Sequence, residues 1–451
     1  MRADLIIIGA GPGGYETALA AAKRGKQVIL FNGGRLGGTC LNEGCIPTKC
    51  FCRDAEINGL LKEKDSLPLD NLAFDIDFNK IRDRKNRVVE TLCQGVETLL
   101  KQAKVTVINE KACFKDSKTV MACDEEYTAD NIIIATGSVS KSLPIQGHDL
   151  ECVMDSKRLL EIEYIPASLT IIGGGVIGME FASIFNQLGS KVTVIEFMKQ
   201  ILPPFDSDVA KRLKQTLSKR GINIITGAAA KEIRQNEFYE IEVIYESKGK
   251  EEKVVSSDLL MAVGRSPYFE GLNLDKAGVN HNPKGIEVDD FMRTNVPGIY
   301  AIGDINGKMM LAHIASMQGM RALNAIDGMK DEIRFDLVPS AVFTVPECGM
   351  VGLTEEECNA KGIEIKTGMG YYRANGKALA LNEPDGFCKL IFSKEDERLL
   401  GAHIMGAHAA DMAQQCCDLM NRNVTRDEME NIIFGHPTLS EVIRSAVENI
   451  K

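Results

Sequence analysis

The 451-residue sequence contains no apolar run approaching the ~20 residues needed to span a bilayer. It has no cluster of lysine and arginine, so the electrostatic footprint of a nucleic-acid binder is missing. It has no export signal. Met1-Arg2-Ala3-Asp4 leads directly into Leu5-Ile6-Ile7-Ile8-Gly9, a run too short and too quickly glycine-rich for a signal peptide. These absences lead us to expect a cytoplasmic protein that binds neither membrane nor nucleic acid. Thirteen cysteines, an odd count in a chain with no export signal, also set aside a secreted disulfide framework. Most of them should be small buried apolar residues, and a reactive pair would have to be local. What is present is ordinary for a globular chain: 44% apolar residues, 26% charged residues and a net charge of −10. The length is too great for one core and predicts roughly two to four domains.

The clearest internal signal is a repeat. Leu5-Ile6-Ile7-Ile8 precedes Gly9-Ala10-Gly11-Pro12-Gly13-Gly14, and Leu169-Thr170-Ile171-Ile172 precedes Gly173-Gly174-Gly175-Val176-Ile177-Gly178. Each glycine group opens a helical stretch, which stops at Gly25 or Gly189, and each stretch leads to an apolar strand, Val28–Phe31 or Val192–Ile195. The landmarks are offset by 164 residues (Gly9 to Gly173) without a gap. A lone G-x-G-x-x-G says little. Placed twice between strand and helix, it has the context that dinucleotide binding requires. The first glycine makes the tight turn and the second lets the backbone approach a pyrophosphate. The third lets helix and strand pack closely, and the helix N-terminus attracts the phosphate charge. Glu196 ends the second strand of the second unit, where a carboxylate would accept from ribose hydroxyls and repel a 2′-phosphate. That unit should therefore prefer NAD to NADP. At the same register the first unit has Asn32, which can hydrogen-bond a ribose but carries no charge.

Cys40 and Cys45 stand just past the second strand of the first unit, with four residues between them. Pro47 suits the first turn of a helix, so Cys45 should lie at that helix's N-terminus, where the dipole favours a thiolate; Lys49 adds a positive charge one turn on. Taken alone, the spacing leaves several readings open. The two could be buried thiols, a static disulfide or a redox pair. They could also join Cys50 and Cys52 in a metal site, although C-x4-C-x4-C-x-C fits no common zinc or iron–sulfur spacing.

The whole stretch from Gly37 to Lys49, Gly-Gly-Thr-Cys-Leu-Asn-Glu-Gly-Cys-Ile-Pro-Thr-Lys, resembles the redox-disulfide motif of the pyridine nucleotide–disulfide oxidoreductases. The likeness also takes in both dinucleotide units, Ala135-Thr136-Gly137, Gly264-Arg265 and Ala301-Ile302-Gly303-Asp304. It implies an α/β fold with two Rossmann-like dinucleotide-binding domains and a C-terminal α+β dimerisation domain. The expected order is an FAD-binding domain over 1–146, carrying the redox disulfide, and an NAD-binding domain over 147–267. A central domain over 268–335 completes the FAD site, and an interface domain covers 336–451. By the same resemblance the FAD site comprises Gly9, Gly11, Gly13, Gly14, Asn32, Gly38, Thr39, Lys49, Ala112, Thr136, Gly137, Asp304 and Ala312. The NAD site comprises Gly173, Gly175, Gly178, Glu196, Gly264 and Arg265. Cys40 and Cys45 would form the redox-active disulfide, with Lys49 beside the flavin and paired with Glu180. Asn32 departs from the acid usual in the family, so the ribose contact should be weaker or rearranged through Gly33-Gly34.

His436, one of six histidines, lies in Gly435-His436-Pro437-Thr438-Leu439-Ser440-Glu441. Thr438-x-x-Glu441 reads as a capping box that starts the last helix. The His-Pro turn would also bring His436 near that carboxylate, which could hold one ring nitrogen and leave the other as a general base. A thiol substrate needs such a base, because the thiolate is the nucleophile in exchange. The segment resembles the family's catalytic dyad, which serves the other subunit's disulfide and so implies an obligate homodimer. Leu439-Ser440 is more like the members that oxidise dihydrolipoyl groups than those that reduce glutathione. The lipoyl substrate should come from a separate protein, a 2-oxo acid dehydrogenase complex or the glycine cleavage system. Glutathione reductases generally use NADPH and arginines near the second ribose, which Glu196 argues against. A non-catalytic dinucleotide-binding subunit would need neither the cysteine pair nor His436. The adjacent Cys416-Cys417 read as buried helix residues.

Overall fold

The computed structural model describes residues 1–62 and 73–451. Arg2–Ile8 carries an unbroken Leu/Ile run that is buried on both faces, as a central parallel strand requires. It pairs in parallel with Val28–Phe31 on one side (Leu5 opposite Val28, Ile8 opposite Phe31) and with Glu125–Ile134 on the other. Thr106–Ile108 extends the sheet beyond Val28–Phe31, and the antiparallel strands Thr119–Ala122 and Cys113–Phe114 extend the other edge. Ile299–Ala301 also joins this sheet, in parallel with Ile132–Ile134. Chain order reverses at Arg2–Ile8, so the carboxyl end of that strand is a topological switch point, where doubly wound folds bind dinucleotides.

The second unit has the same plan. Its parallel strands run Asn223–Thr226, Lys191–Glu196, Ser168–Ile172, Asp258–Met261 and Val153–Met154. An antiparallel meander, Ala228–Gln235, Ile241–Ser247 and Lys250–Ser256, is inserted between the first and fourth of these. A two-stranded ribbon, Ser138–Ser140 against Arg265–Pro267, ties the two units together.

The repeat extends to backbone angles. Gly9 has φ 111° and Gly173 φ 112°, and a Cβ on either would meet a carbonyl oxygen of the neighbouring strand's end at 2.3 Å. Each unit's first helix follows, Pro12–Lys23 or Val176–Leu188.

Residues 336–451 contain a five-stranded antiparallel sheet in the order Ser340–Val342, Cys348–Gly352, Leu399–Met405, Phe387–Ser393 and Ile365–Tyr371. Helices Ala409–Asn421 and Glu441–Glu448 pack on it. Cys416 and Cys417 are buried in the first of them, among Met412, Met420 and Leu390. Among the described residues, no helix is long and apolar enough to cross a membrane.

Candidate functional site

Both switch points open on one continuous cavity of about 2100 Å³. That is well above the ~300–1,000 Å³ of a pocket for a single small ligand, and it suits two extended dinucleotides. Its first half is lined by Gly9, Gly11, Gly13, Asn32, Gly38, Thr39, Ala112, Thr136, Gly137, Asp304 and Ala312. Gly173, Gly175, Glu196, Gly264 and Arg265 line the second, and Cys40, Cys45, Lys49 and Glu180 also face it. Gly14 and Gly178 do not line the cavity. A Cβ there would sit 1.8 Å from the carbonyl oxygen of Gly9, or 2.0 Å from that of Gly173, so these two glycines let helix and strand approach. Space in front of the helices is left open instead. A Cβ on Gly11 would come no closer than 4.0 Å to anything, and one on Gly175 would meet nothing within 4 Å. Open backbone before two helix N-termini fits two pyrophosphates.

The residues that end or follow the second strand of each unit, Glu196 and Asn32, differ in their partners. The Glu196 carboxylate is buried and accepts from Gly174 N at 2.5 Å and Met198 N at 2.6 Å. It therefore helps shape the second glycine loop. Asn32 donates through Nδ2 to the carbonyl of Gly34 and to Asn109 Oδ1, both at 3.0 Å. Asp304 accepts from Ser138 Oγ, which in turn accepts from Arg265 Nε at 2.7 Å. This chain of bonds runs through the ribbon that joins the two units. Thr136 is tied down by its hydroxyl, which donates to the carbonyl of Tyr268 at 2.9 Å.

Cys40 lies in the short helix Gly38–Asn42, and Cys45 opens the helix Cys45–Lys62, with Pro47 in its first turn. Both are thiols, and they sit within hydrogen-bond reach of each other. The two are not equivalent. The hydrogen bond from Cys40, with Lys49 assisting against burial, lowers the Cys45 thiol to about 7. The same bond and burial push Cys40 up. Of the two, Cys45 is biased toward the thiolate and Cys40 toward the protonated thiol.

Lys49 Nζ lies 2.9 and 3.0 Å from the two oxygens of the buried Glu180. Burial alone would lower Lys49, but the charge and hydrogen bonds of Glu180 outweigh it and keep it cationic. Phe343 completes this cluster. Its amide donates to Glu180 Oε1 at 3.0 Å, and its ring lies under Lys49 Nζ, 4.5 Å from the centroid. Cys52 Sγ donates to the Phe343 carbonyl at 3.4 Å. Sequence reasoning missed Phe343, as it missed Ser138 and Asn109. Each is joined to its partner by long-range folding; only Ser138, directly after Ala135-Thr136-Gly137, adjoins a local pattern that could have marked it.

At the other end of the chain, His436 Nδ1 pairs with Glu441 Oε1 at 3.0 Å, while Glu441 Oε2 accepts from Thr438 N at 2.9 Å. Those bonds, the Thr438 amide first, keep Glu441 below the usual carboxylate range. A carboxylate on Nδ1 requires the proton there, so in the neutral ring the bare nitrogen is Nε2. His436 is 79% exposed and does not line the cavity, so within one chain it is not brought to Cys40 and Cys45. The expected capping box is only half made. The helix starts at Glu441 after Ser440, so Thr438 is not its N-cap and its hydroxyl accepts no amide of the first turn; Thr438 Oγ1 instead donates to the carbonyl of Gly435.

Residues 3–319 match the sequence family described as pyridine nucleotide-disulphide oxidoreductase, and residues 338–447 match that family's dimerisation domain. A dihydrolipoyl dehydrogenase of Bacillus subtilis is 37% identical over 98% of this chain and 97% of its own length. One of Corynebacterium glutamicum is 37% identical over 99% and 97%. The solved structure of the HOCl-induced flavoprotein disulfide reductase from Escherichia coli is similar with a TM-score of 0.88, at 30% identity and covering 99% of both chains.

Proposed function

This chain belongs to the pyridine nucleotide-disulphide oxidoreductase family, and from that premise we propose that it oxidises protein-bound dihydrolipoyl groups through Cys40 and Cys45 with reduction of NAD+. The observation that carries the reading is the pair of unequal thiols on the wall of a cavity shared by two glycine loops. In this reading 1–146 and 268–335 hold FAD, 147–267 hold NAD, and 336–451 form the contact of a homodimer. Full-length similarity to two dihydrolipoyl dehydrogenases supports the substrate. FAD and NAD, when bound, supply the two-electron chemistry that returns the pair to a disulfide.

The chain's own residues do the sulfur chemistry. His436 of the partner subunit, held by the partner's Glu441, takes a thiol proton from the dihydrolipoyl group on Nε2. The new thiolate attacks Cys40 Sγ and displaces Cys45 as a thiolate. A low thiol pKa makes Cys45 the better leaving group. The second substrate sulfur then attacks the mixed disulfide and closes the lipoyl ring, its proton passing to the departing Cys40 sulfur, which leaves as the thiol. Lys49 stabilises the charge left on Cys45, while Glu180 and Phe343 keep Lys49 in place. Glu196 favours a nucleotide without a 2′-phosphate. The exposure of His436 away from its own cavity supports delivery to a partner.

The test is anaerobic addition of NADH to the yellow protein. Wild type should develop a long-wavelength band from the Cys45 thiolate facing flavin, and Cys45→Ser should not. The same band in both proteins would overturn the redox role. Turnover with glutathione and none with dihydrolipoamide would overturn the substrate.

A further inference from the structure

Asn32 and Glu196 occupy the same register of the two repeats, 164 residues apart, yet their surroundings have opposite polarity. Glu196 receives N–H donors, one of them from Met198, two residues on. Asn32 faces acceptors: the carbonyl of Gly34, also two residues on, and Asn109 Oδ1, both at 3.0 Å. A backbone carbonyl only accepts, so the Gly34 contact settles which end of the Asn32 amide is nitrogen. Asn109 must then present its oxygen. Asn32 is only 5% exposed and lines the cavity, and its Oδ1 accepts no hydrogen bond among the described residues.

We propose that Asn32 and Asn109 form an amide-built seat for the FAD ribose. In this seat Asn32 Oδ1 accepts from a ribose hydroxyl, and Asn109 is the positioning residue that holds the Asn32 amide in that orientation. The seat is specific for an amide. A carboxylate at position 32 would set its second oxygen against the Gly34 carbonyl, which can only accept. The neutral residue is therefore part of a rewired site, and restoring an acid should weaken it. This inference rests on the reading that the first unit holds FAD.

The test uses full-length, flavin-loaded protein, diluted in steps, with released FAD read by its fluorescence. Asn109→Ala should raise the dissociation constant about fivefold, the effect of losing one positioning hydrogen bond. Asn109→Asp keeps an acceptor oxygen in the same place and should stay within about twofold of wild type. Asn32→Asp should bind FAD more weakly than wild type. Melting of the flavin-free forms should be the same for all four proteins, which separates positioning from folding. The inference is overturned if Asn109→Ala holds FAD as wild type does, if Asn109→Asp is as weak as Asn109→Ala, or if Asn32→Asp binds more tightly. Wild-type protein that takes up no flavin would instead sink the functional reading beneath it.

Discussion

The three glycines of the second loop should fail in three different ways when each is replaced by alanine. Gly173 has φ 112°, and its added Cβ would lie 2.3 Å from the carbonyl oxygen of Ala262. The left-handed backbone alone costs about 1–2 kcal/mol, and relieving the clash adds to it. Gly178 is under packing strain only. Its Cβ would lie 2.0 Å from Gly173 O, and opening the helix–strand contact costs about 1–3 kcal/mol, as other overpacked cores do. Gly175 has φ −76° and ψ −173°, an ordinary extended conformation, with nothing within 4 Å of its Cβ. Gly175→Ala should therefore fold as well as wild type, and a stiffer unfolded chain would add about 0.4–1 kcal/mol of stability. Its methyl group does project into the space where a pyrophosphate would approach the backbone. Losing one hydrogen bond to a charged phosphate, about 1.5–3 kcal/mol, weakens NAD binding about tenfold to a hundredfold. Calorimetric titration of the oxidised protein with NAD+ measures the affinity, and flavin fluorescence on heating follows the fold. The reasoning fails if Gly175→Ala binds NAD+ like wild type, or if it melts several degrees lower while Gly173→Ala does not.

Other expectations follow from the thiols, the base and the ribose carboxylate. In the two-electron-reduced protein the Cys45 thiolate band should be present at high pH and fade as pH falls through about 7, because that thiol is lowered from 9.0. Cys40→Ala removes the largest lowering influence, so the midpoint should move up in a pH titration of the band, and an unmoved midpoint would contradict the bond. His436→Gln should slow dihydrolipoamide turnover about 10²–10⁴-fold, while flavin reduction by NADH in stopped flow keeps its wild-type rate. Turnover at the wild-type rate would exclude His436 as the base. Glu196→Ser should narrow the preference for NADH over NADPH, measured as the ratio of kcat/KM values. A wild-type protein that prefers NADPH would refute the role of that carboxylate.

What the sequence made legible was local in chain and periodic. The Leu/Ile run of Arg2–Ile8, the glycine loops and the strands that follow them are each written within about thirty residues, so their pattern names the βαβ unit directly. Pro47 placed the start of the Cys45 helix for the same reason. Thr438 shows the limit of local patterns. Spacing suggested a reciprocal capping box, but the helix starts three residues later, at Glu441, and the Thr438 hydroxyl donates to the Gly435 carbonyl outside it. Strand Ile299–Ala301 shows another limit. Parallel pairing with Ile132–Ile134 brings together segments far apart in the chain, and three short apolar residues carry no mark of their partner.

The cluster around Cys40, Cys45 and Lys49 depends on both kinds of information. The low pKa of Cys45 begins with Cys40, five positions away, and with a helix that starts at Cys45 itself. Those parts are visible in a stretch of the chain. Lys49 is visible too, but its place is set from elsewhere. Glu180 comes from the first helix of the second unit, and Phe343 comes from the region matching the dimerisation domain. Glu180 without Phe343 would lose an amide donor to its carboxylate, and Lys49 would lose the ring beneath it. Buried charges of this kind need every partner, since removing one member of such a set leaves the others desolvated and unpaired. The region matching the dimerisation domain thus also holds Lys49 and its carboxylate in place beside Cys45.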